Sequence, residues 1–213
     1  MSETSYGFDA ARLRAARTAA GTSVARIAQA ANLSERAVSL YLAGSRVPRP
    51  HVLPRLAAAV GVAPADLCTI DRERLEHLRV WTGRSRAAMA EALGMAPETC
   101  RHLETTGERG RLSRSRYDTA RDYWVLWEEW AAPLFGVTPG RLLAAADATH
   151  EHAQAQWAER RKRWAEEYPE RAAHLARIVR EFKKTTPAGD SAGDWPAPRR
   201  EARGRAALRA AIE

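Results

Sequence analysis

Apolar residues return every three or four positions along most of the chain, and this spacing is typical of amphipathic helices. Near the N-terminus it places Leu13 and Ala16 on one face of a first helix. Asp9 can cap this helix, which ends before Gly21. Alternating apolar and polar runs, which would indicate half-buried strands, are sparse. The pattern therefore predicts an all-α fold.

Two short helices follow, separated by a tight turn at residues 31–33. Thr22 or Ser23 can cap the first of them, in which Ile27 and Ala28 face inward. Two short helices joined by a turn of three or four residues form the helix-turn-helix arrangement, in which one helix protrudes from the surface of the domain.

The second of these helices is predicted over residues 35–43, with Ser34 as its cap. Gly44 suits a left-handed stop at its C-terminus. A fourth helix is expected over residues 52–60, and a short fifth helix after Pro64. Five helices of this length complete one small domain.

The segment SVARIAQAANLSERAVSLYLAGSRVPRP, residues 23–50, resembles the Cro and lambda-repressor-like helix-turn-helix superfamily. The residues that carry the resemblance are Ile27, Ala28, Asn32, Leu33, Ser34, Val38, Ser39, Gly44 and Pro48. Val24 departs from the glutamine that this family often has there, and Asn32 replaces a common glycine. The resemblance implies a domain, here called the first module, that covers residues 1–70.

In this superfamily the exposed start of the third helix enters the major groove, and this resemblance implies which side chains bind DNA. The base-reading positions are then Glu35, Arg36, Ser39 and Leu40. Arginine can donate two hydrogen bonds to guanine, and glutamate can accept one from cytosine. The phosphate-binding positions are Thr22, Ser23, Arg46 and Arg49.

Residues 71–146, here called the second module, repeat the pattern of the first. LGMAPETCRHLETTG, from Leu93, aligns with ANLSERAVSLYLAG, from Ala31. FGVTPGRLL, from Phe135, likewise aligns with VGVAPADL, from Val60. The sequence therefore predicts two tandem five-helix helix-turn-helix modules, the second of them degenerate.

The second module carries its own candidate DNA contacts. They are Thr99, Arg101 and His102 on its third helix, and Arg109, Arg111 and Arg114 in the basic loop RGRLSRSR. Pro97 and Glu98 occupy the tip of that helix, where a carboxylate faces phosphates unless a cytosine amino group is within reach. The sequence leaves two roles open, a second DNA reader or a copy kept for assembly.

An aromatic insertion enlarges the second module between residues 113 and 133. Spacings of three and four predict that Tyr123, Trp127 and Trp130 lie on one side of a helix. One interpretation is an enlarged core or an anchor for the C-terminal helix. The other is an interface with a second copy or a partner, formed by Trp127 and Trp130.

A charged helical extension is predicted over residues 147–185, interrupted at Pro169. The single interval of seven residues between Trp157 and Trp164 is too short to indicate a coiled coil. Residues 186–213 have the composition of a flexible linker followed by a short basic segment.

The formal net charge is +8, and all but three of the 34 basic residues are arginines. A basic balance favours a polyanionic partner, although the base composition of a genome can also produce a chain rich in arginine and alanine. The two cysteines, Cys68 and Cys100, are too few for a disulfide framework or a zinc site. We expect a cytoplasmic chain, because no secretory signal and no membrane-spanning run is present.

No enzymatic motif is apparent in the sequence, and we expect neither catalysis nor a cofactor. His150, Glu151 and His152 are residue types that bind metals, but residues two apart on a helix point in different directions, so at most one of them could act with a distant partner. We therefore expect a sequence-specific protein that binds double-stranded DNA and regulates transcription as a repressor does. A homodimer, or a protein partner bound through the C-terminal helices, is compatible with this expectation. The alternatives are an antitoxin-like, plasmid-maintenance or phage-defence interaction protein, and a replication-associated or nucleoid-associated binder.

Overall fold

A computed structural model of the chain describes residues 6–108, 115–120 and 122–185. This part is mostly helical, which confirms the all-α prediction. The elements in chain order are α1 (Ala10–Ala19), α2 (Val24–Ala31), α3 (Glu35–Leu42), α4 (Leu53–Val60), a 3-10 helix (Pro64–Leu67), α5 (Leu75–Trp81), α6 (Arg86–Leu93), α7 (Pro97–Thr106), β1 (Arg116–Asp118), β2 (Tyr123–Val125), α8 (Trp127–Phe135), α9 (Pro139–Glu167) and α10 (Pro169–Thr185).

Side-chain caps start the first three helices, as the sequence predicts. The Asp9 carboxylate accepts a hydrogen bond from the amide of Ala11 at 2.7 Å. Ser23, rather than Thr22, caps α2, and Ser34 caps α3. Each such cap contributes about 1 kcal/mol of helix stability, because it satisfies an amide that has no partner within the helix.

The turn between α2 and α3 depends on Asn32, which adopts a left-handed conformation with φ of 49°. Asparagine tolerates this conformation better than most residues, so Asn32 fits a turn for which glycine is a common choice. Arg55 of α4 donates a hydrogen bond to the carbonyl oxygen of Asn32 at 2.9 Å. The turn is therefore held from the opposite side of the first module.

The first module has a hydrophobic core of its own. Ile27 and Ala28 of α2, which the sequence predicts to face inward, are buried, and so are Val38, Tyr41 and Leu42 of α3. The largest fully buried side chains of this core are Leu13, Ile27, Val38, Leu53, Leu56 and Leu67. The chain before α1 also closes on the 3-10 helix, because the amide of Asp9 donates to the carbonyl oxygen of Leu67 at 2.9 Å.

The second module repeats these local features. Ser85 caps α6 as Ser23 caps α2. Gly94 ends α6 in the left-handed conformation, at the place that Asn32 takes after α2. A second core includes Leu75, Leu78, Met89, Leu93, Leu103, Trp127, Phe135 and Leu142.

Helix α5 contributes to both cores. Its Leu75 and Leu78 side chains lie in the second core, whereas Val80 lies in the first. Trp81 packs against both. The chain divides into two compact units, one that ends at residue 155 and one that begins at residue 156.

The aromatic insertion differs from its prediction. Tyr123 lies in strand β2, so the expectation that Tyr123, Trp127 and Trp130 share one helix is wrong. Strands β1 and β2 pair as an antiparallel hairpin in which Tyr117 opposes Trp124, with ring centroids 5.5 Å apart. Strands of three residues are too short to show a period of two, and the aromatic spacing coincides with helical spacing.

Helix α9 runs without interruption through residue 146, where the sequence suggests the end of the second module. Its backbone passes close to Gly107, at the end of α7. A Cβ atom on Gly107 would lie 2.6 Å from the carbonyl oxygen of Ala146, so only glycine fits there. The division of the chain at residues 70, 146 and 185 remains a prediction.

The unit that begins at residue 156 contains the end of α9 and helix α10. Pro169 interrupts the helix where the sequence predicts, and the rings of Trp164 and Tyr168 lie 6.1 Å apart beside the break. Trp157 is 66% exposed. Residues 186–213, the predicted linker and basic segment, lie outside the described residues. Among the described helices, none is long and apolar enough to cross a membrane.

Candidate nucleic-acid interface

Helices α2 and α3 form the two arms of a helix-turn-helix. Each has eight residues, and they are joined by residues 32–34. Both turn an apolar face to the first core, Ile27 and Ala28 from α2 and Val38 and Tyr41 from α3. Because these positions fix α3 against the core, its opposite face is directed to solvent.

The predicted base-reading residues lie on the solvent face of α3. Glu35, Arg36 and Ser39 are exposed, and Leu40 is half-buried. The Ser39 hydroxyl donates to the carbonyl oxygen of Glu35 at 2.8 Å, which leaves its oxygen as an acceptor toward a base. The four side chains therefore present a donor, two acceptors and an apolar contact on one helix.

The basic side chains around α3 are not neutralised within the chain. Arg36, Arg46 and Arg49 make no ion pair with any residue in the described ranges. All three are exposed. An exposed guanidinium without a carboxylate partner needs no internal bond broken before it binds a phosphate or a guanine.

The other predicted phosphate ligands lie at the start of α2. Thr22 is half-buried and Ser23 is exposed. Because the Ser23 oxygen already accepts from the amide of Arg26 at 3.2 Å, its hydroxyl proton remains available to a phosphate.

Two further residues hold the candidate interface in place, and the sequence analysis missed both. Arg14 of α1 donates to the carbonyl oxygen of Leu42, at the end of α3. The Tyr6 hydroxyl donates to the carbonyl oxygen of Pro48, in the loop that carries Arg46. Neither contact has a local sequence signal, because each partner lies tens of residues away along the chain.

The corresponding helix of the second module is neutralised by its own side chains. The Arg101 guanidinium donates from Nε to both carboxylate oxygens of Glu98, at 3.0 and 2.9 Å. This bond also holds the pKa of Glu98 below its usual value. His102 Nε2 lies 3.1 Å from Glu108, and Thr99 is half-buried.

Glu104, in the next turn of α7, has a structural role. Its carboxylate is buried between two guanidinium groups, those of Arg79 and Arg86. Arg79 is itself buried and donates a further hydrogen bond to the carbonyl oxygen of Arg84 at 2.9 Å. The three charges thus fasten α5, α6 and α7 together.

Three predicted DNA contacts, Arg109, Arg111 and Arg114, lie outside the described residues. Arg116, just after them, is already engaged. Its guanidinium donates to the carbonyl oxygen of Leu93 at 2.8 Å and stacks 3.5 Å from the ring centroid of Trp130. It therefore anchors the hairpin to α6 and α8.

Trp127 and Trp130, the predicted interface residues, differ in exposure. Trp127 is 2% exposed in the second core, which accords with the enlarged-core interpretation. Trp130 is half-buried beneath Arg116. An interface through either residue remains a prediction.

The histidine-rich segment of α9 makes separate contacts. Glu151 forms an ion pair with Arg72, and His150 Nδ1 lies 3.1 Å from the carbonyl oxygen of Thr106. Within the described residues, no three potential metal ligands come together. Cys100 is a buried free thiol, and burial, with the Glu104 charge, raises its pKa to about 11.

Residues 10–68 match the family model of a helix-turn-helix domain. The match starts with α1 and ends after the 3-10 helix, so it covers the first module. Over these residues the chain is similar to helix-turn-helix domains. No curated protein and no solved structure matches the chain.

Proposed function

We propose that this protein is a sequence-specific double-stranded DNA-binding protein that regulates transcription as a repressor does. The observation that carries the proposal is the solvent face of α3, where Glu35, Arg36 and Ser39 are exposed beside arginines that lack internal partners. Such a protein acts by occupying a site on DNA in the cytoplasm, and we assign it no catalysis.

In the proposed complex the N-terminal end of α3 enters the major groove. Arg36 donates two hydrogen bonds to the O6 and N7 atoms of a guanine. Glu35 accepts from the amino group of a cytosine, and Leu40 contacts a thymine methyl group. Arg46, Arg49 and the start of α2 bind the phosphates on either side and set the register.

We further propose that the two modules are tandem copies with different tasks. The recurring serine caps and left-handed turns support common descent. Arg101 is occupied by Glu98, and Pro97 precedes that acid at the helix tip, which favours a supporting role for α7. In this proposal the first module reads the bases, and the second adds at most backbone contacts from its arginine-rich loop.

The proposal is tested by selecting bound sequences from a pool of random duplexes. We expect the selected duplexes to share one sequence motif. At fixed salt, the protein should bind a duplex with this motif about a thousandfold or more tighter than a random duplex. A pool that shows no enrichment would contradict the proposal, and would instead favour a nucleoid-associated or replication-associated binder.

A second candidate function is favoured by the exposed apolar residues near the C-terminus, Trp157 and Val179. They support a protein contact through the C-terminal helices, with a second copy or with another protein as in antitoxin-like, plasmid-maintenance or phage-defence systems. Light scattering of the full chain and of residues 1–155 tests the homodimer. A dimer that the shorter chain cannot form is the expected result.

A further inference from the structure

A cleft of about 530 Å³ lies between the segment that follows the 3-10 helix and the middle of α9. Its volume is within the range of small-molecule sites in proteins. The polar side chains on its walls are Asp71, Arg72, Arg74, His77, Glu151 and His152.

Arg74 is a cation on the wall of this cleft. It is half-buried and makes no ion pair with any residue in the described ranges. The carboxylate of Glu73 is held by Arg141 through two hydrogen bonds of 2.7 Å. Glu151 is paired with Arg72, and Asp71 is exposed. The nearby acids therefore leave the Arg74 guanidinium without a carboxylate.

His77 adds a second hydrogen-bond donor beside this guanidinium. Its ring is buried, and Nδ1 accepts a hydrogen bond from the Arg74 amide at 3.0 Å. Because Nδ1 is the acceptor, the proton of the neutral ring must be on Nε2. Nε2 lies 3.5 Å from Nη2 of Arg74, so two donors are adjacent and neither can accept from the other.

Arg74 also acts on the two imidazoles of this cleft, His77 and His152. Burial, then the charge of Arg74, lowers the pKa of His77 to about 4. Burial and Arg74 lower the pKa of His152 as well. Arg74 thus disfavours the imidazolium form of both rings, and a bound anion would favour that form.

We propose that this cleft binds a small oxyanion, the phosphate group of a low-molecular-weight ligand, through Arg74, His77 and His152. A guanidinium presents a planar pair of donors that matches two oxygens of such a group, and imidazole N–H groups can bind the remaining ones. The cleft is remote in sequence from the solvent face of α3. The inference therefore stands whether or not the protein reads DNA.

The proposal predicts that anion binding takes up a proton. The other acidic and basic side chains that face the imidazoles are Arg72, Arg74, Asp71, Glu73 and Glu151. A bound dianion favours the imidazolium form, so affinity should increase as the pH falls from about 8 to about 5. Sulfate is a suitable probe because its charge is constant over this range.

The test is calorimetric titration of the full chain with sulfate, at constant ionic strength set by chloride. We expect saturable binding that tightens toward acidic pH. Arg74→Gln should weaken it about tenfold or more, since it removes charge-assisted hydrogen bonds. His152→Gln should flatten the pH dependence. Arg177→Gln removes one positive charge from the exposed surface of α10 and should change neither quantity.

Unchanged sulfate binding by a folded Arg74→Gln variant would overturn the proposal. If that variant does not fold, as judged by circular dichroism, the test rests on the His152→Gln variant, whose substituted position is exposed. A dependence of sulfate affinity on pH like that of the parent would then overturn the proposal. Loss of duplex affinity in Arg74→Gln without any effect on sulfate would assign the guanidinium to the DNA backbone, and would also overturn it. Sulfate binding can be lost while DNA selection succeeds, so the two proposals fail separately.

Discussion

Arg36 and Arg101 illustrate how one residue type serves different ends. Both are exposed, Arg36 on α3 and Arg101 on α7. Arg101 forms an ion pair with Glu98, whereas Arg36 makes none with any residue in the described ranges. Arg79, a third arginine, is buried against Glu104. The surroundings of each guanidinium, rather than its place in a basic sequence, decide whether it can bind DNA.

Glu104 offers a test of the buried charge cluster. Glu104→Gln leaves the buried Arg79 guanidinium without a counter-ion, and we expect the free energy of unfolding to fall by about 3–5 kcal/mol. Urea unfolding followed by tryptophan fluorescence measures the change. The control is Glu98→Gln, which breaks an exposed pair on the same helix and should have little effect. Equal effects of the two changes would contradict a structural role for Glu104.

His77 should make stability depend on pH. Its pKa is lowered from 6.5 to about 4 in the folded state, so the unfolded state binds more protons between these values. Stability should therefore fall as the pH decreases from about 6.5 toward about 4. Glu76, whose pKa is raised by burial, opposes this trend. His77→Asn keeps an acceptor for the Arg74 amide and should lose less stability between pH 7 and pH 5, measured by urea unfolding.

The residue-scale features that could be predicted are those with local signals. Ser34 as a cap and Asn32 in a left-handed turn depend only on neighbours along the chain. The Arg79–Glu104 pair could not be predicted, because an arginine and a glutamate far apart in sequence are both expected at the surface. The donor pair of Arg74 and His77 likewise emerges only once α9 closes the cleft.

At the scale of elements, α3 and α7 form a matched pair that differs in its cap. Ser34 accepts from the amide of Ala37, whereas Ala96, at the same place before α7, has no side-chain acceptor. Ser34→Ala should lower stability by about 1 kcal/mol, and Ala96→Ser should raise it by a comparable amount. Thermal unfolding of both variants checks these signs. A loss of stability in Ala96→Ser would contradict the proposed equivalence of the two helices.

The elements were predictable where apolar periodicity was sustained. Helices α1 to α4 begin and end within about two residues of their predicted bounds, as expected for capped helices. The β1–β2 hairpin was not predictable, since its aromatic residues have helical spacing. Nor does the sequence indicate that Pro139 begins a helix that continues to Glu167, because packing of α9 against the end of α7 carries it past residue 146.

At the scale of the molecule, the two modules share α5. A fragment of residues 1–70 retains most of the first core but lacks Val80 and Trp81, which cover it. We expect this fragment to fold, and a fragment of residues 1–82 to be more stable by about 2 kcal/mol or more, because burial of one large apolar side chain contributes about that amount. Circular dichroism during urea unfolding compares them. Equal stability would show that the first module is independent of α5.

The central claim is that α3 of the first module reads DNA, and comparison of two arginines tests it most directly. The measurement is the affinity of Arg36→Ala and Arg46→Ala for the selected duplex and for a random duplex, at several salt concentrations. Arg36→Ala should lose about 1–3 kcal/mol of binding free energy for the selected duplex and none for the random duplex. Its preference at one base pair should be relaxed. Arg46→Ala should weaken binding to both duplexes alike. It should also reduce the slope of log affinity against log salt concentration by about one. Unchanged affinity of Arg36→Ala for the selected duplex would contradict the account.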